Sequence, residues 1–458
     1  MRGLLPRQRP EHQRGLRLWP IRRVLVLAFA ATAVAAAGVF FIGWKLLGVQ
    51  GLASQQRIST NTLFDLAKLS FGVVAGAGAL VALVVAYRRQ KVGEDAVERE
   101  KARLHNERFT NAVDQLGNES EAVQLGAVHA LASLADDAPS RDLRQTCIDV
   151  LCAYLRLPYT AKADLPEGDA QAQHSYLALR EVRHTVIRLI RNHLRLAPEH
   201  PHSWQGHQFD FTTVTFDGGD FSYAVFSGGT VNFFGAEFSG GKVSFSGARF
   251  SGGKVVFRDA KISDGLVNFY GAMFSGTRVD FCNVKVTGGK ITFRNSNVSN
   301  GIVDFRDAEV SGGTISFRGA EISAGRVNFA GAGFTGGTID FRCMKFAGGT
   351  VNFSGVRFSG ARAEFSDVQV SESQVTFFGA KISAGRVNFR GAGFTGGTVN
   401  FGAAFARGTV NFSGARFSGG TVDLSTASGV PPTGLLPEHG GSLPAGVTLP
   451  IAWYPTEV

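Results

Sequence analysis

From Phe233 an aromatic residue returns every twelve positions, through Phe245, Phe257, Phe269 and Phe281 and on to Phe401. Two places before each but Phe365 stands a β-branched residue, as at Val231, Val243, Val255 and Ile291. Three places after most of them comes a small one (Ala236, Ala248, Ala260), and two further on another apolar one (Phe238, Phe250, Ile262, Val286). The unit reads Val-x-Phe-x-x-Ala-x-Phe-x-x-Gly-x. Each two-residue alternation puts both apolar side chains on one face of a short extended segment. The Gly and Ser positions between them suit corners, where positive φ or tight turning is needed. A fixed period of this length signals a solenoid whose units bury their apolar faces only by stacking. Twelve residues enclose too little core, so the pattern predicts about 24 residues per coil, two units each. That gives roughly nine coils over 209–424 and a rod on the order of 40 Å long. The phenylalanines are expected to climb one column. The polar positions beside them (Asn232, Ser244, Asn268, Asp280, Asp304, Asn328, Asn352) are expected to face solvent.

Ahead of the repeat the pattern is helical or continuously apolar. Val24 to Trp44 carries no charge, and Leu69 to Tyr87 is a second charge-free run between Lys68 and Arg88. Each approaches the roughly 20 residues that span a bilayer. The alternative for the first is a cleaved signal peptide, since residues around Ala35 to Gly38 are small. Gly72 and Gly76 in the second run would admit a close helix neighbour, with Ala31, Ala35 and Gly38 of the first run as its natural partner, although small residues are common in such spans. Glu94 to Leu116 continues as a helix to a stop at Gly117, and Ser120 or Asn118 caps the next. A further helix covers about 140–156. A basic amphipathic one runs from Tyr176 to Leu196, with Arg180, Arg183, Arg188, Arg191 and Arg195 around an apolar stripe. Such a helix either lies on an anionic surface or buries its stripe against a neighbour. After Leu424 the register ends. Leu449 and Trp453 are placed to cover the open end of the rod, unless the tail is disordered.

The start of the array has a tighter period. Phe211, Phe216, Phe221 and Phe226 are five apart, with Val214 and Ala224 two places before Phe216 and Phe226. This resembles the pentapeptide-repeat family, and the later units look like the same motif in alternating steps of five and seven. The resemblance implies a right-handed, four-sided β-helix, although the two extra residues leave the cross-section open. The stretch Phe109 to Gly117 with Ala127 to Leu131 is similar to the helical module of membrane-bound bacterial members, and also has a HEAT or armadillo flavour.

Charge and chemistry narrow the function. The tail 1–23 and the segment Arg88–Lys91 are far more basic than the loop 46–67, whose one cation is Arg57. The positive-inside rule then places both termini in the cytoplasm of a two-span, multi-pass cell-membrane protein. Four scattered cysteines (Cys147, Cys152, Cys282, Cys343) suit a reducing compartment. No phosphate loop, zinc-protease motif or nucleophile elbow occurs, so no catalytic residue, cofactor or metal is expected. Glu199, His200, His202 and His207 are the one local cluster, in a linker, and ordinary solvated side chains account for them. The net charge is +10, and the rod contributes twenty-one Lys and Arg against thirteen Asp and Glu from Phe226 to Leu424. Arg294, Arg318, Arg342 and Arg390 fall on one 24-residue series, which would stack them in a column. The alternative is that they are merely solvated beside nearby acids.

The chain thus reads as an α+β protein. It has a basic tail (1–23), a transmembrane helical hairpin (24–87), a helical module (88–200), a β-helix (209–424) and a tail or cap (425–458). Its expected function is a non-enzymatic membrane-tethered scaffold for an unknown protein partner. The alternative is an anion-binding rod, for nucleic acid or anionic phospholipid, acting through the outward arginine and lysine columns.

Overall fold

A computed structural model describes residues 60–435 and 443–454, with a few positions between 30 and 45. The basic tail and two thirds of the first apolar run, 24–44, lie outside the described residues. The chain divides into two compact units, residues 1–103 and 104–458.

In the first unit the second apolar run belongs to helix α1, Thr60–Leu116, which also extends into the second unit. Among the described residues it is the one helix long and apolar enough to cross a membrane. Its apolar side chains are exposed, among them Phe71, Leu80 and Leu83.

The second unit opens on a helical module. Gly117 ends α1 by donating its N–H to the Val113 carbonyl. Helix α2 (Glu121–Asp136) follows Ser120, whose side chain makes no capping bond. Helix α3 (Arg141–Arg156) is capped by the Ser140 hydroxyl and α4 (Ala170–Arg195) by the Asp169 carboxylate. Helix α4 begins six residues before the expected Tyr176, because Asp169 is a good N-cap and the residues after it are good helix formers. Val128, Leu131, Ile148, Leu151, Val186 and Ile190 are fully buried between the three helices. Helices α3 and α4 also pack on the first strands of the repeat.

The repeat is a β-solenoid of about ten turns with about 24 residues per coil. Every turn supplies one strand to each of four parallel ladders. The first ladder runs from Phe209–Asp210 through Thr230–Asn232 and Lys254–Val256. The second runs from Thr215–Phe216 through Glu237–Phe238, and the third from Gly219–Asp220 through Lys242–Ser244. The fourth runs from Val225–Phe226 through Arg249–Ser251. Partners are 22 residues apart where the five-residue steps open the array, as in Phe216↔Phe238. They are 24 apart in the body, as in Ile262↔Val286. They are 23 apart where the pair spans the corner after Phe401, which lacks one residue, as in Val399↔Val422.

The single aromatic series of the sequence becomes two stacks, not one, because two units make a turn. Phe233, Phe257, Phe281 and Phe305 follow the first ladder, and Phe245, Phe269, Phe293 and Phe317 the third. Rings within a stack are parallel, with centroids 4.5 Å apart for Phe233 and Phe257. Rings of opposite stacks meet edge to face, 6.1 Å and 88° for Phe245 and Phe257. Both geometries suit the aromatic quadrupole and add roughly 0.5–1.5 kcal/mol per pair to area burial.

Five-residue corners are reverse turns, in which the Ala236 N–H donates to the Phe233 carbonyl at 3.1 Å. Their third place takes positive φ, so Gly, Asp or Asn occupies most of them, as at Gly235, Asp259 and Asn283. Seven-residue corners stack glycine on glycine. Gly313 has φ +64°, and a Cβ there would collide with the Gly289 carbonyl oxygen.

The polar column is only partly solvent-facing. Asn232, Asn328 and Asn352 are half-buried, whereas Ser244, Asn268, Asp280 and Asp304, and Asp340 further along, are buried. The Asp280 carboxylate accepts the Cys282 N–H at 3.1 Å, and Asp340 accepts the Arg342 N–H at 3.1 Å. These side chains turn back to satisfy corner amides that have no ladder partner.

Both ends of the solenoid are covered. The helical module lies against the first strands. At the far end Val447 pairs with Val422, and Leu449 and Trp453 are buried. The Trp453 indole N–H donates to the Gly429 carbonyl at 2.8 Å.

Candidate functional site

The arginines of α4 show what the helix is for. Arg183 is buried, its guanidinium donates to the Leu155 and Thr215 carbonyls at 2.8 Å, and it lies 4.1 Å over the Tyr159 ring. Arg191 pairs with Asp220, and Arg195 donates to the Ser222 carbonyl while covering the Tyr223 ring. Arg180 lies 3.2 Å from Asp217. Arg188 reaches the Thr185 hydroxyl, and Glu181 at 3.6 Å. Four of the five arginines therefore join α4 to the first coil. The stripe and the charges serve the same contact.

Asp217, in the five-residue step between Phe216 and Phe221, is the centre of a cluster that the sequence did not reveal. Its Oδ2 accepts the Tyr159 and Tyr176 hydroxyls at 2.6 Å each, and its Oδ1 faces His184 Nε2 at 3.3 Å. Burial alone would raise this carboxyl, but the bonds from His184, Tyr159 and Tyr176 outweigh it and hold it well below the usual range. Burial, then the Asp217 bond, pushes the Tyr159 hydroxyl far above its ordinary value. One group stays ionised and the other protonated near neutral pH, so neither is poised to exchange a proton with a substrate. A groove of about 480 Å³ beside the cluster is lined by Lys162, Arg180, Ser239 and Asp264. The partners of Asp217 lie 33 to 58 residues away in sequence, so spacing gave no signal.

The histidines of the linker are drawn into other contacts. His207 is buried against the Gln145 amide oxygen, and burial, then Arg141 and Arg144, pushes it down to about 4. His193 stacks on Trp204 and faces Asp136 at 3.0 Å, and His202 lies 3.7 Å from the same carboxylate. Among the described residues no group of His, Cys, Asp and Glu could hold a metal ion.

On the rod, Arg294, Arg318, Arg342 and Arg390 do share one column. The Asn295 N–H donates to the Arg318 carbonyl, and the Gly319 N–H to that of Arg342. All four are exposed. Arg342 alone pairs with a carboxylate, Asp340 at 2.9 Å. A groove of about 340 Å³ near this column is lined by Lys242, Leu266, Tyr270, Lys290 and Arg294. A second, of about 420 Å³, opens over Gly333 on the second ladder between Lys285, Glu309, Arg357 and Lys381. On α1, Gly72 and Gly76 meet no atom within 4 Å of an added Cβ, among the described residues.

No curated protein and no solved structure matches the chain. One family model does match, described as pentapeptide repeats in nine copies, over residues 211–261. The match begins at the five-residue steps and runs into the twelve-residue units, and the ladders it starts continue unbroken beyond it. The chain therefore carries a pentapeptide-repeat stretch, and the solenoid built on it has the form of an interaction scaffold.

Proposed function

We propose that this protein is a non-enzymatic scaffold, tethered to the membrane, that presents its solenoid to a protein partner. The observation that carries the reading is the closed, regular rod. Its aromatic interior is fully buried, and each of its ends is covered by the chain itself. Such a rod has long repeating faces and little internal freedom, which suits the holding of a partner. The charge-free stretch of α1, Leu69 to Tyr87, supports a tether. In the full reading the run 24–44 is a second span, both termini are cytoplasmic, and the four ladders are the sides of a right-handed rod.

Fractionation and protease access test the tether. The chain should stay with membranes through an alkaline carbonate wash, and protease added to intact cells should spare the rod. Release by the wash, or digestion from outside, would overturn it. Pull-downs from detergent-solubilised membranes test the scaffold. Full-length protein should recover partners that a chain lacking 209–424 does not, and identical recoveries would sink the reading.

A further inference from the structure

The basic surplus of the rod is not spread over its four ladders. From Phe226 on, and counted with the corner that follows it, the first ladder carries five Lys and Arg against five Asp and Glu. Three of its arginines are committed to buried carboxylates. Arg258 lies 3.2 Å from Asp280, and Arg278 and Arg306 lie 2.8 and 2.9 Å from Asp304. The second and fourth ladders are close to balance. The third carries eight Lys and Arg against Asp340, Glu364 and Asp367. Of these eight, Arg342 and Arg362 approach carboxylates. Lys242, Lys290, Arg294, Arg318, Arg386 and Arg390 form no ion pair among the described residues. From Phe257 to Phe317 the first ladder buries Asp280 and Asp304 before its phenylalanine, where the third places Asn268, Thr292 and Ser316; further along, Asp340 and Glu364 stand at that place on the third ladder and approach Arg342 and Arg362.

A duplication inside the chain isolates the same position. Residues 322–338 and 382–398 are identical except that Ala330 is replaced by Arg390. The two copies are five units apart, an odd number, so Val327 pairs on the first ladder and Val387 on the third. The single difference between them adds a cation to the third ladder.

We propose that the third-ladder face rests on the anionic phospholipid headgroups of the membrane that holds the chain, an inference that depends on the tether proposed above. Headgroups diffuse and can match any spacing of cations. The column here repeats at about 4.8 Å and is broken at Ser366. A nucleic acid strand instead offers charges at a fixed rise of about 3.4 Å. Leu266 and the half-exposed Tyr270 adjoin the cations, and an amphipathic tyrosine suits the headgroup level. A tether keeps the face at high local concentration beside the lipid, so modest charge attraction suffices.

Cys343 provides the test. It is the exposed cysteine, next to Arg342 in the third-ladder corner, whereas Cys147, Cys152 and Cys282 are buried. The full chain is reconstituted in phosphatidylcholine vesicles, or in an equimolar mixture with phosphatidylglycerol, and labelled with an uncharged, impermeant maleimide. Phosphatidylglycerol should slow labelling of Cys343 about fivefold at low salt, and high salt should restore it. Arg294→Gln with Arg318→Gln, Arg386→Gln and Arg390→Gln should abolish the difference. A thiol placed on the first ladder by Ala330→Cys, with Cys343→Ser, should label equally in both vesicles. Equal rates at Cys343 in chains that float with the vesicles would overturn the inference and leave the tether standing. Protection by added RNA but not by phosphatidylglycerol would overturn it in favour of nucleic acid. Failure to float with either vesicle would remove the tether, and this inference with it.

Discussion

Asp304 on the first ladder and Ser316 on the third occupy the same place in the repeat, each just before a core phenylalanine. Asp304 is 2 % exposed and sits between Arg278 and Arg306. Ser316 is equally buried, but its hydroxyl only accepts the Arg318 N–H, at 3.4 Å. Both close a corner amide, so the backbone is served alike. They differ in what they do to the arginines outside. A carboxylate there consumes cations, while a hydroxyl leaves them to the surroundings. In these coils the stacked rings are alike, and what differs outside follows from a residue already inside; on the third ladder Asp340 holds Arg342 in the same way.

The strongest probe of that contrast is the core itself. Phe329 and Phe389 hold the same place in the two stacks, 4.9 Å from Phe305 and 4.6 Å from Phe365. Replacing either by Ala should cost about 4 kcal/mol, measured by denaturant unfolding in detergent. A difference well above about 1 kcal/mol between the two would mean that the interior does tell the ladders apart. Next in size is the pair at issue. Asp304→Ala removes a buried carboxylate and strands two arginines, so about 2–3 kcal/mol is expected. Ser316→Ala should cost about 1 kcal/mol or less. Equal losses would dissolve the contrast.

The smallest effect is acid sensitivity. Burial alone would raise the Asp280 carboxyl, but bonds from Cys282 and then Arg258 hold it below its ordinary value. At Asp340 burial is likewise outweighed, by Arg342 and then more weakly by Arg318. A depressed carboxyl gives stability that is complete above its unfolded value near pH 4. That stability fades as pH falls through the lower folded value. Asp280→Asn and Asp340→Asn should each flatten the stability curve below about pH 4 and leave it parallel to the parent above about pH 5. An unchanged acid limb in both would place the sensitivity elsewhere.

Much of this was legible in the sequence. The spacing of the phenylalanines fixes two units per turn and a 24-residue register, which places Arg294, Arg318 and Arg342 in a column before any coordinates. The burial of Asp280 was not legible, because alternation says which way a side chain leaves the strand but not that it then turns back to an amide. One aromatic column was expected where two exist, although both follow from the same period. The anion-facing role considered for α4 and its docking role have the same composition. The docking shows only in the contacts of Arg180, Arg183, Arg191 and Arg195 with the first coil. Asp217 was invisible because Tyr159, Tyr176 and His184 come to it from helices and loops well removed in the chain.

Two units to the turn has a consequence for how such a chain can grow. Insert one twelve-residue unit ahead of Lys290 and the interior is preserved, yet Arg294, Arg318 and Arg390 exchange sides with Arg306 and Ala330. Insert two and every downstream residue returns to its original side. Lengthening is thus governed by parity: an even duplication extends the molecule, whereas an odd one inverts the surface it presents.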